Sequence, residues 1–172
     1  TNVYAKREGS KEILLKSGID EKNFTQYSEF ITAGNQVFFL DENTLYMQNL
    51  SKDKKVKVAD NVQAGSVVLA ADKSTVLFIQ KDEGSENLDL YRSKNGGKPE
   101  KIETLPIIKF GDQSPCYGFM EDSSDVWFMK LSENTASSGS SNPGETGELL
   151  IKLGNKATSS ISQEAGGMIY AS

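Results

Sequence analysis

The sequence predicts an all-β fold made from one four-strand antiparallel unit used several times. Three observations carry that expectation. Short runs rich in Val, Ile, Leu, Phe and Tyr are separated throughout by Gly, Asn, Asp and Ser turns, which is strand-turn-strand chemistry. The segment from Leu69 to Ile79 matches Phe119 to Met129 without a gap, and Phe30 to Leu40 is a third copy of the same length. The unit then recurs at a regular interval: Tyr4, Tyr46 and Tyr91 occupy the same place in successive copies, 42 and 45 residues apart, with Leu150 following after 59.

With the four strands named a to d, each copy opens with an apolar pair, an Asp-containing turn and four apolar residues, giving strands a and b. In the copy at Phe30 the turn is Gly34-Asn35 instead. Strands c and d follow as Leu45–Leu50 with Lys55–Val58, Leu90–Ser93 with Lys101–Ile102, and Leu149–Lys152 with a weaker segment over Ala157–Ile161. An isolated c–d pair, Val3–Lys6 with Ile13–Leu15, precedes the first full copy. Asn95-Gly96 is the pair that a type I′ hairpin turn prefers, because both central positions need positive φ. Strand a is small or apolar over Gly65–Ala70 and Cys116–Met120, as a strand crowded on both faces should be. Strand d reads as an edge: Lys55-Val56-Lys57-Val58 alternates with period 2, and Pro99 sits between Lys98 and Lys101. Charge and proline keep such an edge from pairing with other chains.

Four strands per unit at a period of about 40–45 residues is the signature of a β-propeller blade. The stretch from Asp89 to Ile102, DLYRSKNGGKPEKI, also resembles the TolB-type, WD40-like propeller repeat. That family reads roughly D-[IL]-Y, a Gly-Gly turn, Pro and a final apolar residue. The hairpin expected before it stands here as Ala70 to Phe78, without the family's Ser-Pro and Gly. The resemblance covers one blade closely and the others loosely. It implies a blade fold in an exported, extracytoplasmic bacterial protein. It implies no particular activity, since the family includes scaffold propellers and the gating propellers of serine peptidases.

The expected organisation is a single domain over 1–172. Its blade segments lie near 1–17, 28–60, 65–104 and 116–162, with a remnant over 166–172 and a flexible insertion over 132–148. Just under four blades leaves two alternatives. One is a small closed ring, with Met168–Ala171 completing the first c–d pair. The other is part of a larger ring, since six to eight blades need roughly 270–350 residues at this period.

Composition narrows the chemistry. The chain has 172 residues, a net charge of -5, one cysteine and no histidine. The acidic balance argues against a nucleic-acid surface, and no apolar run is long enough for a helical membrane span. An intrachain disulfide needs two cysteines. Without histidine there is neither a Ser-His-Asp triad nor a histidine-bearing metal motif. A Gly-x-Ser-x-Gly elbow, a phosphate-binding loop and a dinucleotide fingerprint are also missing from the sequence. No enzymatic activity and no cofactor are expected. A carboxylate pair remains conceivable, with Glu29 and Glu121 the acids nearest the axis strands.

Binding is therefore the expected role. In a propeller the d–a and b–c loops share one rim. The d–a loops over 17–27 and 104–115 carry Phe24, Tyr27, Ile107, Ile108, Phe110 and Asp112. Phe24, Tyr27, Phe110 and Asp112 are the candidate binding residues. Apolar loop residues mark either a contact patch or covers for the blade ends. The Ser-Gly-Asn-rich stretch 132–148 is either a tolerated insertion or a ligand-facing lid. The acidic loop 82–89 lacks the spacing of a calcium-binding EF-hand loop and reads as a solvated loop. Asn23 and Asn49 head glycosylation sequons of a kind expected by chance. Trp127 reads as core, and Cys116 as a buried, inert thiol. The leading expectation is a non-catalytic binding or scaffold module whose partner is a protein, peptide or glycan. The alternative is the non-catalytic propeller of a larger hydrolase such as a peptidase.

Overall fold

The computed structural model describes residues 1–19, 30–81, 84–85, 87–106, 117–121, 123–131, 147–153 and 156–165. Among these residues, fourteen strands fall into one two-stranded and three four-stranded sheets, each an antiparallel meander in chain order. The N-terminal hairpin pairs β1 (Val3–Ala5) with β2 (Ile13–Lys16). Sheet 1 holds β3 (Phe30–Ala33), β4 (Gln36–Asp41), β5 (Thr44–Asn49) and β6 (Lys54–Ala59). Sheet 2 holds β7 (Val68–Leu69), β8 (Thr75–Gln80), β9 (Asn87–Lys94) and β10 (Glu100–Pro106). Sheet 3 holds β11 (Tyr117–Phe119), β12 (Val126–Leu131), β13 (Gly147–Lys152) and β14 (Ser159–Ala165). This is the c–d pair followed by three a–b–c–d units that the repeat predicts. No helix of the described residues is long and apolar enough to cross a membrane.

Strand alternation explains how these sheets stack. Successive side chains point to opposite faces, so one b strand serves two interfaces. In β4, Val37 and Phe39 pack with Leu15, Val3, Ala5 and Ile13 of the hairpin. Phe38 and Leu40 of the same strand pack with Val76 and Phe78 of sheet 2. In β8, Leu77 and Ile79 then pack with Val126 and Phe128 of sheet 3. Phe38, Val76, Leu77, Phe78, Ile79, Val126 and Phe128 are all fully buried. The repeated tyrosine always lies on the side toward the preceding unit. There Tyr46 stacks on Phe39 at 5.7 Å and Tyr91 on Phe78 at 6.0 Å between centroids.

Turn residues behave as their chemistry demands. Asn95 and Gly96 have φ of 53° and 65°, and the Gly97 amide donates to the Lys94 carbonyl, which is the type I′ geometry expected there. A Cβ on Gly96 would come within 3.0 Å of the Met47 Cε and Sδ atoms, so this turn also fits against sheet 1.

Three details depart from the sequence reading. Strand a in sheet 2 is shorter than Gly65–Ala70, because the Ser66 hydroxyl turns back onto the Gln63 carbonyl and accepts from the Ile79 amide. The last d strand runs later than Ala157–Ile161. The β3–β4 turn closes on the Ala33–Gln36 pair, whereas in sheet 2 the Ala70 amide bonds to the Thr75 carbonyl across a longer turn. The equal-length copies therefore differ in strand-a register: Phe30 opposes Phe39, while Leu69 opposes Val76.

The edge strand keeps its lysines exposed, with one addition. The Lys55 ammonium lies 4.0 Å from the Tyr46 ring centroid and 5.0 Å from that of Phe39. Its stem and charge thus cover the end of the aromatic stack, in a contact of cation–π type.

Candidate functional site

Phe24, Tyr27, Phe110 and Asp112 all lie outside the described residues, as do Ile107, Ile108, Cys116, Glu29 and most of the 132–148 insertion. The described part of the d–a rim is chiefly the link from β6 to β7, whose exposed polar groups bond to one another and to the neighbouring strands. The Asp60 carboxylate accepts from Lys57 at 2.8 Å and from the Thr44 hydroxyl at 3.2 Å. Its carbonyl accepts from the Gln80 side chain, and Val62 makes an isolated bridge to Gln80. This link clips sheet 1 to the end of β8.

An open depression lies on the other rim, between the a–b turns of sheets 2 and 3. Ala71, Asp72, Lys94, Ser123, Ser124 and Asp125 line an open groove of about 550 Å³. The two turns are built alike. The amides of Ala70 and Met120 donate to the carbonyls of Thr75 and Asp125, both at 2.9 Å. Asp72 organises the first turn: one carboxylate oxygen accepts the Ser74 and Thr75 amides at 2.8 Å, and the other accepts the Thr75 hydroxyl at 2.7 Å. Ser123 organises the second, its hydroxyl accepting the Asp125 amide at 2.7 Å. Lys94, on the same wall of the groove, lies 3.7 Å from Asp72.

These bonds define the site's chemistry. Burial pushes the Asp72 carboxyl upward, but the Thr75 hydroxyl and the Ser74 and Thr75 amides outweigh it and hold its pKa at about 2. A carboxylate this acidic is a poor proton acceptor near neutral pH. The groove presents hydrogen-bonding groups, among them a carboxylate held in its charged form.

Beneath the groove, an ionic cluster joins sheets 2 and 3. Arg92 donates to Glu100 at 2.8 Å and to the Ser124 carbonyl at 3.4 Å, and Lys152 approaches the other Glu100 oxygen at 3.4 Å. The Arg92 bond, with help from Lys152, lowers the Glu100 pKa. Tyr117 adds a second tie by donating its hydroxyl to the Ser66 carbonyl. Burial raises the Tyr117 pKa.

Other sequence candidates have internal roles here. Asp89, at the end of the acidic loop, accepts from Lys101 at 2.7 Å and from the Thr104 hydroxyl at 2.8 Å. Asn49 accepts the Ser51 and Lys52 amides within its turn, both at 3.0 Å. Glu121 is exposed. Among the described residues, no three His, Cys, Asp or Glu side chains gather at metal-binding spacing. Trp127 is half-buried rather than core, lying over Gly118 on the outer side of sheet 3. The groove was not foreseen, because its walls come from turns one repeat apart. The one available signal was the recurrence of the Asp-containing turn.

No family model matches the chain, and no curated protein does. Solved structures do. The chain is similar to a prolyl endopeptidase with a TM-score of 0.56 and 14% identity, covering 80% of this chain and 22% of that one. It is similar to the β-propeller domain of the Trilobed protease of Pyrococcus furiosus, described as having an open velcro topology (TM-score 0.54, 10% identity, 92% of this chain, 47% of that one). It is also similar to an acylaminoacyl peptidase of Pyrococcus horikoshii (TM-score 0.55, 11% identity, 91% and 27%). The chain thus spans less than half the length of each of these structures. Likeness at such low identity establishes architecture alone, and together with the three stacked meanders it makes this an all-β fold of β-propeller class.

Proposed function

We propose that this chain is a non-catalytic propeller segment of a larger hydrolase of peptidase type, acting as a rigid β platform. The observation that carries the proposal is the overlay of most of the chain onto parts of peptidases, one of them described as a protease's propeller domain. A sequence without histidine supports a division of labour in which the bond-breaking residues lie elsewhere. The test is the full reading frame. A neighbouring domain with a Gly-x-Ser-x-Gly nucleophile, labelled by a fluorophosphonate probe in the native protein, is the expected result. A reading frame with no hydrolase domain ends the proposal.

The second reading is a free-standing binding module. It would contact a protein, peptide or glycan through the loops that carry Phe24, Tyr27, Phe110 and Asp112. The resemblance of Asp89–Ile102 to the TolB-type repeat favours it, together with an extracytoplasmic setting in a bacterium. Capture of a partner by the purified chain, lost in the Phe24→Ala, Tyr27→Ala double variant, is its expected signature. Unchanged capture removes that rim from consideration.

A further inference from the structure

The c–d turns join β1 to β2, β5 to β6, β9 to β10 and β13 to β14, and all four lie on the rim that also holds the groove. Contacts between units set these turns in a row. Arg7 of the hairpin turn donates to the Ser51 hydroxyl of the sheet 1 turn at 3.0 Å. Asn95 of the sheet 2 turn accepts from the Gln36 side chain of sheet 1 at 3.4 Å. Lys152, where the sheet 3 turn begins, lies 3.4 Å from Glu100, where the sheet 2 turn ends.

Acids and bases are unequally engaged along this row. Glu12 pairs with Lys6 at 3.8 Å, Asp53 accepts from Gln48 at 3.2 Å, and Glu100 is held by Arg92 and Lys152. Of the acids in these turns, only Glu8 has no partner among the described residues. The bases are the reverse. Arg7, Lys11, Lys52, Lys54, Lys98 and Lys156 are all exposed, and none has a carboxylate partner among the described residues. Every turn carries at least one of them, although the whole chain has a net charge of -5. Protection of a sheet edge accounts for Lys54, which starts β6. It does not account for the other five, which lie in the turns themselves.

We infer that this rim is an interaction surface for an acidic polypeptide, an extended Asp- or Glu-rich segment laid along the row of turns. Charge complementarity sets the sign of the partner. The acidic balance of the rest of the chain sets its extent. A nucleic acid or an anionic bilayer continues well past the rim and meets that opposing charge, whereas a short peptide does not. Packed sheets lie about 10 Å apart, so four turns in a row span about 30 Å, the reach of roughly ten extended residues. This rim is opposite the one expected to carry Phe24 and Tyr27, and its role does not depend on an adjoining hydrolase domain.

Fluorescence anisotropy of a labelled peptide of alternating Glu and Ser, about ten residues long, tests this by titration with the whole chain. At about 0.1 M salt, screening over about 10 Å leaves only nearby charges to act. Saturable binding is expected there, lost at about 1 M salt and absent for the matching Gln and Ser peptide. Lys98→Glu alters a side chain without an ionic partner and should weaken binding about fivefold. Combined with Lys52→Glu and Lys156→Glu it should weaken binding about a hundredfold, with circular dichroism unchanged. Lys81→Glu makes the same charge change at an exposed residue just past β8, on the opposite rim, and should leave binding within about twofold. A wild-type chain that does not bind the Glu and Ser peptide overturns the inference, as do equal losses in Lys98→Glu and Lys81→Glu. Tighter binding of duplex DNA or of phosphatidylserine vesicles than of the peptide also overturns it, and assigns the rim to another class of partner.

Discussion

Gly96 offers the sharpest test of how sheets 1 and 2 meet, because two separable effects act there and only one acts at Gly34. Both glycines sit in turns with positive φ, 65° at Gly96 and 61° at Gly34. Alanine at either is expected to cost about 1–2 kcal/mol for holding an L-residue in the left-handed region. A smaller loss of unfolded-state entropy offsets part of that. A Cβ on Gly34 meets nothing within 4 Å. A Cβ on Gly96 meets Met47 at 3.0 Å from Cε and Sδ and 3.3 Å from Cβ. Met47 is buried in the junction and has to move, which adds about 1–2 kcal/mol, the lower part of the range for overpacking because methionine is flexible. The expected totals are about 1 kcal/mol for Gly34→Ala and about 2–3 kcal/mol for Gly96→Ala.

Urea unfolding followed by Trp127 emission reads both values. The decisive measurement is a double-mutant cycle. Met47→Ala alone should cost about 2–5 kcal/mol. In its background, Gly96→Ala should fall back toward the Gly34→Ala value, a coupling of about 1–2 kcal/mol. If Gly96→Ala costs no more than Gly34→Ala, or if the cycle shows no coupling, the hairpin turn does not rest on Met47 and the sheet 1–sheet 2 junction is drawn wrongly.

Other expectations follow from the same contacts. Asp72 has a folded pKa of about 2 against 3.8 for the free side chain, so its bonds stabilise the fold above about pH 4 and fade as pH falls through 2. With the side chain 30% exposed and solvent screening allowed for, Asp72→Asn should cost about 1–2 kcal/mol at pH 6 and little at pH 2, read from urea midpoints across that range. Tyr117→Phe strips the Ser66 carbonyl of its inter-sheet donor and should cost about 1–2 kcal/mol, with circular dichroism unchanged. Phe78→Ala opens a cavity beside Tyr91 at a fully buried position and should cost about 3–5 kcal/mol, enough to shift the urea midpoint by more than any turn variant. The amides of β1 and β2 should exchange with solvent well before those of β8, because a lone hairpin is only marginally stable and rests on one face alone.

The architecture was legible because the signals were local and repeated. Each b strand carries four consecutive apolar residues, the pattern of a strand covered on both faces, as β4 and β8 are. Asn95-Gly96 and the Asp72 turn announced their geometry in two to four residues. Strand-a register was not legible: whether Phe30 or Thr32 pairs deep in sheet 1 depends on how tightly Gly34-Asn35 closes, and the equal-length copies hide that difference. The groove and the Arg92–Glu100–Lys152 cluster were invisible for another reason. Their members are brought together only when one sheet is laid against the next, so no spacing within a single unit encodes them.

Parity along the b strands also explains the misreading of Trp127. Its position is fully buried in sheets 1 and 2, where Phe38 and Leu77 stand, so the sequence copy argues for core. What buries a residue at that position is the following sheet, not its own. Burial in such a stack is a property of the neighbour, and an apolar residue at the same strand position takes a different environment where no following sheet is described. The sequence of a single unit predicts which face a side chain joins. Only the number and arrangement of units predicts whether that face is core or surface. Trp127 lies on that boundary, which makes its emission the direct reporter of whether anything is stacked upon sheet 3.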